Sequence, residues 1–244
     1  MDKRLEYRCW GAPPTNGRAI VLLHEGLGCV ALWRDFPDNL HTATGMPVMA
    51  YSRAGYGQSD PDDLPRPLDW MTTEAIMVLP EVLEACRISR PFLVGHSDGA
   101  TIAAIYAGFQ PEAEAAVLIA PHFFTEERGL LEIARTDAQF RGEADMAKRM
   151  GKYHRDPQAT FSGWADAWLD PDFRQWHVEA ALEGIECPVL AIQGRQDQYG
   201  TLAQIDAVSR NVDHAKVLIV EECQHTPHLE HPDAVIAAIS QFVH

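Results

Sequence analysis

The sixteen residues from Pro91 to Tyr106 constrain the fold more than any other part of this 244-residue chain. Pro91-Phe92-Leu93-Val94-Gly95 is a run of apolar or small residues suited to a buried strand, and Gly95-His96-Ser97-Asp98-Gly99 overlaps its end. Small residues at Gly99, Ala100, Ala103, Ala104 and Ala107 then allow a helix to lie close against a sheet. Strand, Gly-x-Ser-x-Gly turn and helix in this order lift Ser97 toward solvent as a nucleophile. The pentapeptide alone is common, and a serine at that place also serves as a helix N-cap. The strand before it and the helix after it favour the nucleophile.

A serine hydroxyl is a weak nucleophile and needs a base, which in turn needs an orienting carboxylate. The apolar run Cys187 to Gln193 ends in Gly194-Arg195-Gln196-Asp197, so Asp197 falls just past a strand. The run Ala215 to Val220 ends in Glu221-Glu222-Cys223-Gln224-His225, so His225 falls just past another. The chain order Ser97, Asp197, His225, with acid and base each on a loop after a strand, is the one expected of an α/β-hydrolase and differs from the orders of trypsin-like and subtilisin-like proteases.

These segments resemble the α/β-hydrolase superfamily, and the resemblance covers nearly all of the chain. The stretch His225-Thr226-Pro227-His228-Leu229-Glu230-His231-Pro232 is similar to the family's His-x-Pro-x-x-Glu-x-Pro ending, a more specific match than the serine pentapeptide. Ala19 to Gly28 looks like the strand and His-Gly loop that supplies half of an oxyanion hole. The resemblance therefore implies backbone donors from Asp98 and from either Gly26 or Leu27. Glu25 stands where relatives usually carry glycine, and Ser52 stands where an aspartate is common. A carboxylate at Glu25 would oppose an oxyanion unless it is turned away or paired. His24 is expected to brace this loop, and His24 and Glu25 are also candidate pocket residues. Relatives that cleave haloalkanes or epoxides use an aspartate at the elbow; here the residue is Ser97.

Alternating strands and helices imply a mostly parallel sheet. Strands are expected near Ile20–His24, Val48–Ser52, Pro91–Gly95, Ala116–Ala120, Val189–Gln193 and Val217–Glu221, with an edge strand at Tyr7-Arg8-Cys9-Trp10. The interval between Ala120 and Cys187 is far longer than a sheet crossover requires. It is read as a helical lid spanning 121–186, inserted into a core formed by 1–120 and 187–244, at a place where α/β-hydrolases often carry a cap. Helical spacing covers Glu126–Phe140, Glu143–Tyr153, Ala159–Trp168 and Phe173–Glu183. Trp164, Trp168 and Trp176 either glue the lid to the core or line an apolar pocket over Ser97.

Other chemistries fit poorly. Thirty-five acidic against twenty basic residues give a net charge of −15, which repels phosphates and anionic membranes, so neither nucleic acid nor membrane is an expected partner. No run of about eighteen apolar residues exists to span a bilayer. The segment Met1-Asp2-Lys3-Arg4-Leu5-Glu6-Tyr7 has no signal-peptide apolar core, so a cytoplasmic location is expected. The five scattered cysteines do not read as a disulfide framework. Gly55-x-Gly57 fails as a dinucleotide loop because Asp60 occupies the place of the third glycine. His225, His228 and His231 recur every third residue, but Pro227 and Pro232 disturb the helix that would align them as metal ligands. No metal or cofactor is therefore assigned; His228 and His231 are read as surface or supporting residues, and Glu230 as fixing its loop.

The expected function is serine-dependent hydrolysis of a carboxylic ester, lactone or related acyl bond in a small to medium, partly apolar substrate. The same parts could also hydrolyse a carbon–carbon bond, or serve a slow-turnover ligand sensor; turnover number separates an enzyme from a sensor. Asp98's own carboxylate is expected to complement the positive end of the following helix.

Overall fold

In the computed structural model, residues 3–13 and 17–243 are described; Met1 and Asp2, part of the segment read for a signal sequence, lie outside them. Seven strands form one sheet: β1 (Tyr7–Trp10), β2 (Arg18–Leu23), β3 (Val48–Tyr51), β4 (Arg90–His96), β5 (Ala115–Ile119), β6 (Val189–Gly194) and β7 (Lys216–Val220). Their spatial order is β1-β3-β2-β4-β5-β6-β7. All neighbours run parallel except β1, which pairs antiparallel with β3. Every expected strand is present to within two residues at each end.

Successive side chains on a strand point to opposite faces, and β2 displays this directly. Ala19, Val21 and Leu23 enter one core, while Ile20 and Leu22 enter the other. Among the described residues the α-helices are α1 (Phe36–Thr44), α2 (Trp70–Thr73), α3 (Leu79–Ala85), α4 (Asp98–Phe109), α5 (Glu127–Gly142), α6 (Ala144–Met150), α7 (Pro157–Trp168), α8 (Ala203–Asn211), α9 (Pro227–Glu230) and α10 (Pro232–Val243). The first core is closed by α3, α4 and α8, and the second by α1 and α10. Burial on both faces explains why β4 and β5 read as nearly unbroken apolar runs.

Between β5 and β6 the chain forms α5, α6 and α7, then two short 3-10 turns at Pro171–Gln175 and Glu179–Gly184. These turns replace the helix expected over Phe173–Glu183. The cause is long-range: Thr125 donates to the Trp176 carbonyl at 3.3 Å and Val178 to the Phe123 carbonyl at 2.7 Å, which holds Trp176 extended (φ −64°, ψ 131°). α6 stops at Met150, short of the expected Tyr153, with Gly151 following. No helix among the described residues is long and apolar enough to cross a membrane.

Candidate active site

Ser97 sits at the junction of β4 and α4 with φ 53° and ψ −119°, a conformation that non-glycine residues rarely adopt. Strain of this kind persists only where the surroundings impose it. Here Ser97 N–H donates to the Ile119 carbonyl of β5 at 2.8 Å, and the Ser97 carbonyl accepts from Ala100 at 2.8 Å. The two glycines have a separate steric role. A Cβ on Gly95 would strike the Gly99 backbone, and one on Gly99 would strike the Leu23 carbonyl and lie 2.7 Å from the His24 oxygen.

The strand ends bring three distant residues into line. Ser97 Oγ lies 2.9 Å from His225 Nε2, and His225 Nδ1 lies 2.9 and 2.8 Å from the two Asp197 oxygens. A carboxylate only accepts, so the ring proton is on Nδ1, which leaves the Nε2 lone pair facing the serine. Asp197 Oδ1 also accepts from the backbone of Tyr199 at 2.8 Å and Gly200 at 3.3 Å. Burial alone would raise the Asp197 carboxyl; the bonds and charge of His225, with His122 and the Tyr199 N–H, outweigh it and hold the pKa below the ordinary value. The His225 loop is clamped by Glu230, which accepts from Gln224 N–H, Thr226 N–H and Thr226 Oγ at 2.8 to 3.0 Å. Glu230 thus fixes the loop as the sequence suggested.

The loop after β2 lies beside the serine. The backbone N–H groups of Gly26, Leu27 and Asp98 make no hydrogen bond among the described residues; that of Asp98 is at the first helical position, where no intrahelical acceptor exists. His24 does not line the cavity, contrary to the expectation that it would be a pocket residue. Its Nδ1 bonds the Glu25 carbonyl at 2.7 Å and its Nε2 accepts from Arg53 N–H at 3.1 Å, so it is spent bracing the loop. Arg53 adds bonds to the His24 and Glu25 carbonyls at 2.6 and 2.9 Å. The Glu25 carboxylate turns toward His96, with Oε2 3.7 Å from Nδ1. Burial works against its ionisation, but the His96 ring and Arg53 outweigh that and hold the carboxyl below its ordinary value.

A cavity of about 240 Å³ opens above Ser97. Its floor is Gly26, Leu27, Ser97, Asp98 and His225, and its upper wall is Leu130 and Ile133 of α5 with Trp164 and Trp168 of α7. Two of the three tryptophans therefore face the cavity and the third does not. Trp176 stacks on Phe173 at 4.9 Å and meets the edge of Trp168 at 5.8 Å, because the extended pairing of Trp176 with Thr125 turns it behind that wall.

Two histidines, His96 and His122, escaped the sequence, and His228 takes the supporting role of the two it was given. His96, His122 and His228 gather around the relay, with ring centroids 5.1 Å (His96–His225), 5.6 Å (His122–His225) and 4.6 Å (His96–His228). His96 Nε2 donates to the His225 carbonyl at 2.8 Å, tying the elbow to the histidine loop. Burial drives His122 down to about 3 and His228 well below its ordinary value, so both are neutral. His228 is therefore not a surface residue: it is 3% exposed and packs on Trp33, Phe36 and His96. His231 instead bonds the Glu222 carbonyl at 3.2 Å, so the three histidines of that segment serve different partners. The only sequence signal for His96 was its place inside the pentapeptide, and none marked His122.

Asp98 lies in the first turn of α4, as expected. Its side chain is 1% exposed, and Oδ2 has no hydrogen-bond partner. Burial pushes the carboxyl up to about 6, against the pull of Arg53 and Arg66. The side chain is enclosed beside Gly26 and Trp164, and its Oδ2 makes no bond to the turn of helix it begins.

Comparison with known proteins identifies the family. The profile of the alpha/beta hydrolase family matches residues 20–238. A proline iminopeptidase of Heyndrickxia coagulans is 23% identical, over 93% of this chain and 91% of its own. A carboxylesterase structure from Nitrososphaera gargenis superposes with a TM-score of 0.81 at 18% identity, covering 99% of this chain and 94% of that one. The enol-lactonase of Burkholderia xenovorans LB400 superposes with a TM-score of 0.75 at 19% identity, covering 99% and 96%. At these identities the solved structures speak for the fold alone, whereas the family profile spans nearly the whole chain: the protein belongs to the α/β-hydrolase family.

Proposed function

We propose that the protein is a serine hydrolase that cleaves a carboxylic ester, lactone or related acyl bond of a small to medium, partly apolar substrate. The observation that carries this reading is the unbroken line from Asp197 through His225 to Ser97 Oγ, beneath a cavity with an apolar upper wall. His225 Nε2 takes the Ser97 proton as Oγ bonds the substrate carbonyl carbon, and Asp197 stabilises the imidazolium. The carbonyl electron pair moves onto oxygen, where the N–H groups of Asp98 and of Gly26 or Leu27 receive it; such donors are worth about 3–4 kcal/mol each in comparable sites. Return of the proton to the leaving alcohol breaks the ester bond and leaves an acyl-serine. Water, deprotonated by His225, then releases the acid and restores the serine.

In this reading 1–120 and 187–244 form the catalytic body, and 121–186 form a cap that shapes the acyl pocket. The net charge of −15 favours a small-molecule substrate over nucleic acid, and a cytoplasmic location remains part of the proposal. A panel of activated acyl esters and lactones of graded length, assayed beside Ser97→Ala, tests it. Turnover of at least one member that vanishes in the variant is expected. Equal rates in both proteins would overturn the assignment.

A further inference from the structure

The upper wall of the cavity over Ser97 is Leu130, Ile133, Trp164 and Trp168, and the only polar atoms in these side chains are the two indole nitrogens. A buried indole N–H ordinarily finds an acceptor. Among the described residues neither of these does, but the two differ in access. The N–H of Trp168 is sealed from solvent, as are those of Trp33 and Trp70, whereas that of Trp164 is not. Trp164 as a whole is 7% exposed and lines the cavity, so its N–H is a buried, unmet donor that opens onto a ligand-sized space.

The facing loop fixes where this donor stands. A methyl group on Gly26 would collide with Nε1 and Cδ1 of Trp164, so that edge of the indole rests on the Gly26 backbone. The ring is held from α7 by Phe161, which it meets edge-on at 5.7 Å. Asp98 Oδ2 would lie 2.9 Å from the same methyl group, yet it has no hydrogen-bond partner and does not receive the indole N–H. Gly26 or Leu27 supplies the backbone donor proposed for the carbonyl oxygen, so the free indole donor stands beside the place of the scissile carbonyl. A hydrocarbon acyl chain would strip water from this N–H and leave it unbonded, while an oxygen at that point would satisfy it.

We propose that Trp164 determines acyl specificity by donating its Nε1–H to an oxygen on the carbon next to the scissile carbonyl, so that the preferred substrates are esters or lactones of α-oxygenated acids. This rests on the acyl-hydrolase reading above and names its acyl class. Alkoxy, hydroxy and oxo substituents share the required acceptor. The short reach follows from the contact with Gly26, which brings the indole N–H and the oxyanion loop to one spot.

The test compares para-nitrophenyl methoxyacetate with para-nitrophenyl butyrate, whose acyl groups differ by an ether oxygen in place of a methylene. Each kcat/KM is divided by the rate constant of hydroxide-catalysed hydrolysis, which removes the activating effect of the oxygen on the ester itself. A normalised preference of at least about fivefold for methoxyacetate is expected, the lower end of the range for a buried donor met rather than left unmet. In Trp164→Phe, which keeps an aromatic ring and loses the N–H, the ratio should fall to near one through loss on methoxyacetate. A smaller ratio in the wild type, or one that the variant retains, overturns the proposal. Equal loss on both esters in the variant overturns it too, and assigns the N–H to the carbonyl oxygen common to all esters. If the variant does not fold, the position of the oxygen decides in the wild type: para-nitrophenyl β-methoxypropionate against the pentanoate should give a normalised ratio near one, and an equal preference for both ethers overturns the site. Turnover of none of these esters overturns it as well, and a fluorophosphonate then shows what else has failed. Labelling of Ser97 leaves the acyl-enzyme reading standing, whereas no labelling removes both.

Discussion

The floor and the upper wall of the cavity are held by different forces. At the strand ends, each reacting group is set by backbone: Ser97 by a strained φ and a bond to β5, Asp197 by two N–H donors, and His225 by a loop that Glu230 and His96 clamp. The wall of α5 and α7 is held mainly by rings. Phe140 and Phe161 stack at 3.8 Å, and Trp164 meets Phe161 edge-on at 5.7 Å. Its polar ties to the body lie mainly at its flanks: Arg155 N–H bonds the Gly57 carbonyl at 2.9 Å, His154 accepts from Gly57 N–H at 3.0 Å, and Glu126 accepts from Thr201 and Gln204, while within α7 Thr160 Oγ bonds the Gly55 carbonyl at 2.6 Å. Backbone geometry allows little change without losing the site, while ring packing can be altered one side chain at a time. The floor therefore suits chemistry and the wall suits selectivity.

Four measurements would sharpen or break this contrast. On the floor, Ser97→Ala and His225→Ala should each lower kcat by as much as about 10⁶-fold, and Asp197→Ala by nearer 10⁴-fold, with unchanged circular dichroism. Near-normal activity in His225→Ala together with its loss in His228→Ala would move the base to the wrong histidine for this reading.

In the wall, Phe161→Ala removes a fully buried ring from a stack and should cost about 3–5 kcal/mol of folding free energy, read from urea unfolding. A cost under about 1 kcal/mol would mean that the rings do not hold this region.

Trp164→Ala should alter acyl-length preference by about 10–200-fold, while labelling of Ser97 by a small fluorophosphonate changes much less. Equal loss against every ester and of labelling would show that wall and floor act as one unit.

The smallest effect concerns pH. Burial lowers His122 from 6.5 to about 3 and holds His24 and His228 well below 6.5, so these rings bind fewer protons folded than unfolded. Stability should then rise with pH from about 3 to 6.5. Asp98 opposes this between 3.8 and about 6, because its raised pKa makes the folded state bind more protons there. His154 is lowered as well and Glu74 is raised like Asp98, so four rings stand against two carboxyls and acidification below 6.5 should bring a net loss of stability. Urea midpoints at pH 7, 6 and 5 measure it, and a flat series would contradict the burial of these rings.

Much of the floor was legible beforehand because its signals are local. A run of apolar residues followed by Gly-His-Ser-Asp-Gly specifies a strand, a crowded turn and a helix within a few residues, and the apolar runs before Asp197 and His225 place both just past strands. The wall was less so. The 3.6-residue spacing located α5 and α7, yet it also suggested a helix over Phe173–Glu183, where pairing with Phe123 and Thr125 imposed extended chain. It likewise could not say that Trp164 and Trp168 face the cavity while Trp176 lies behind them.

By itself the sequence determined the alternation of strands and helices, the need for glycine on both sides of Ser97, and the chain order of serine, acid and base. Each follows from short-range sterics or periodicity, which neighbouring residues decide among themselves. Only the tertiary structure decided that Glu25 turns to His96, that His122 and His228 are buried neutral beside the relay, and that Asp98 is left without a partner. Those outcomes depend on desolvation and on charges supplied by residues far away in the chain, and no local pattern encodes them.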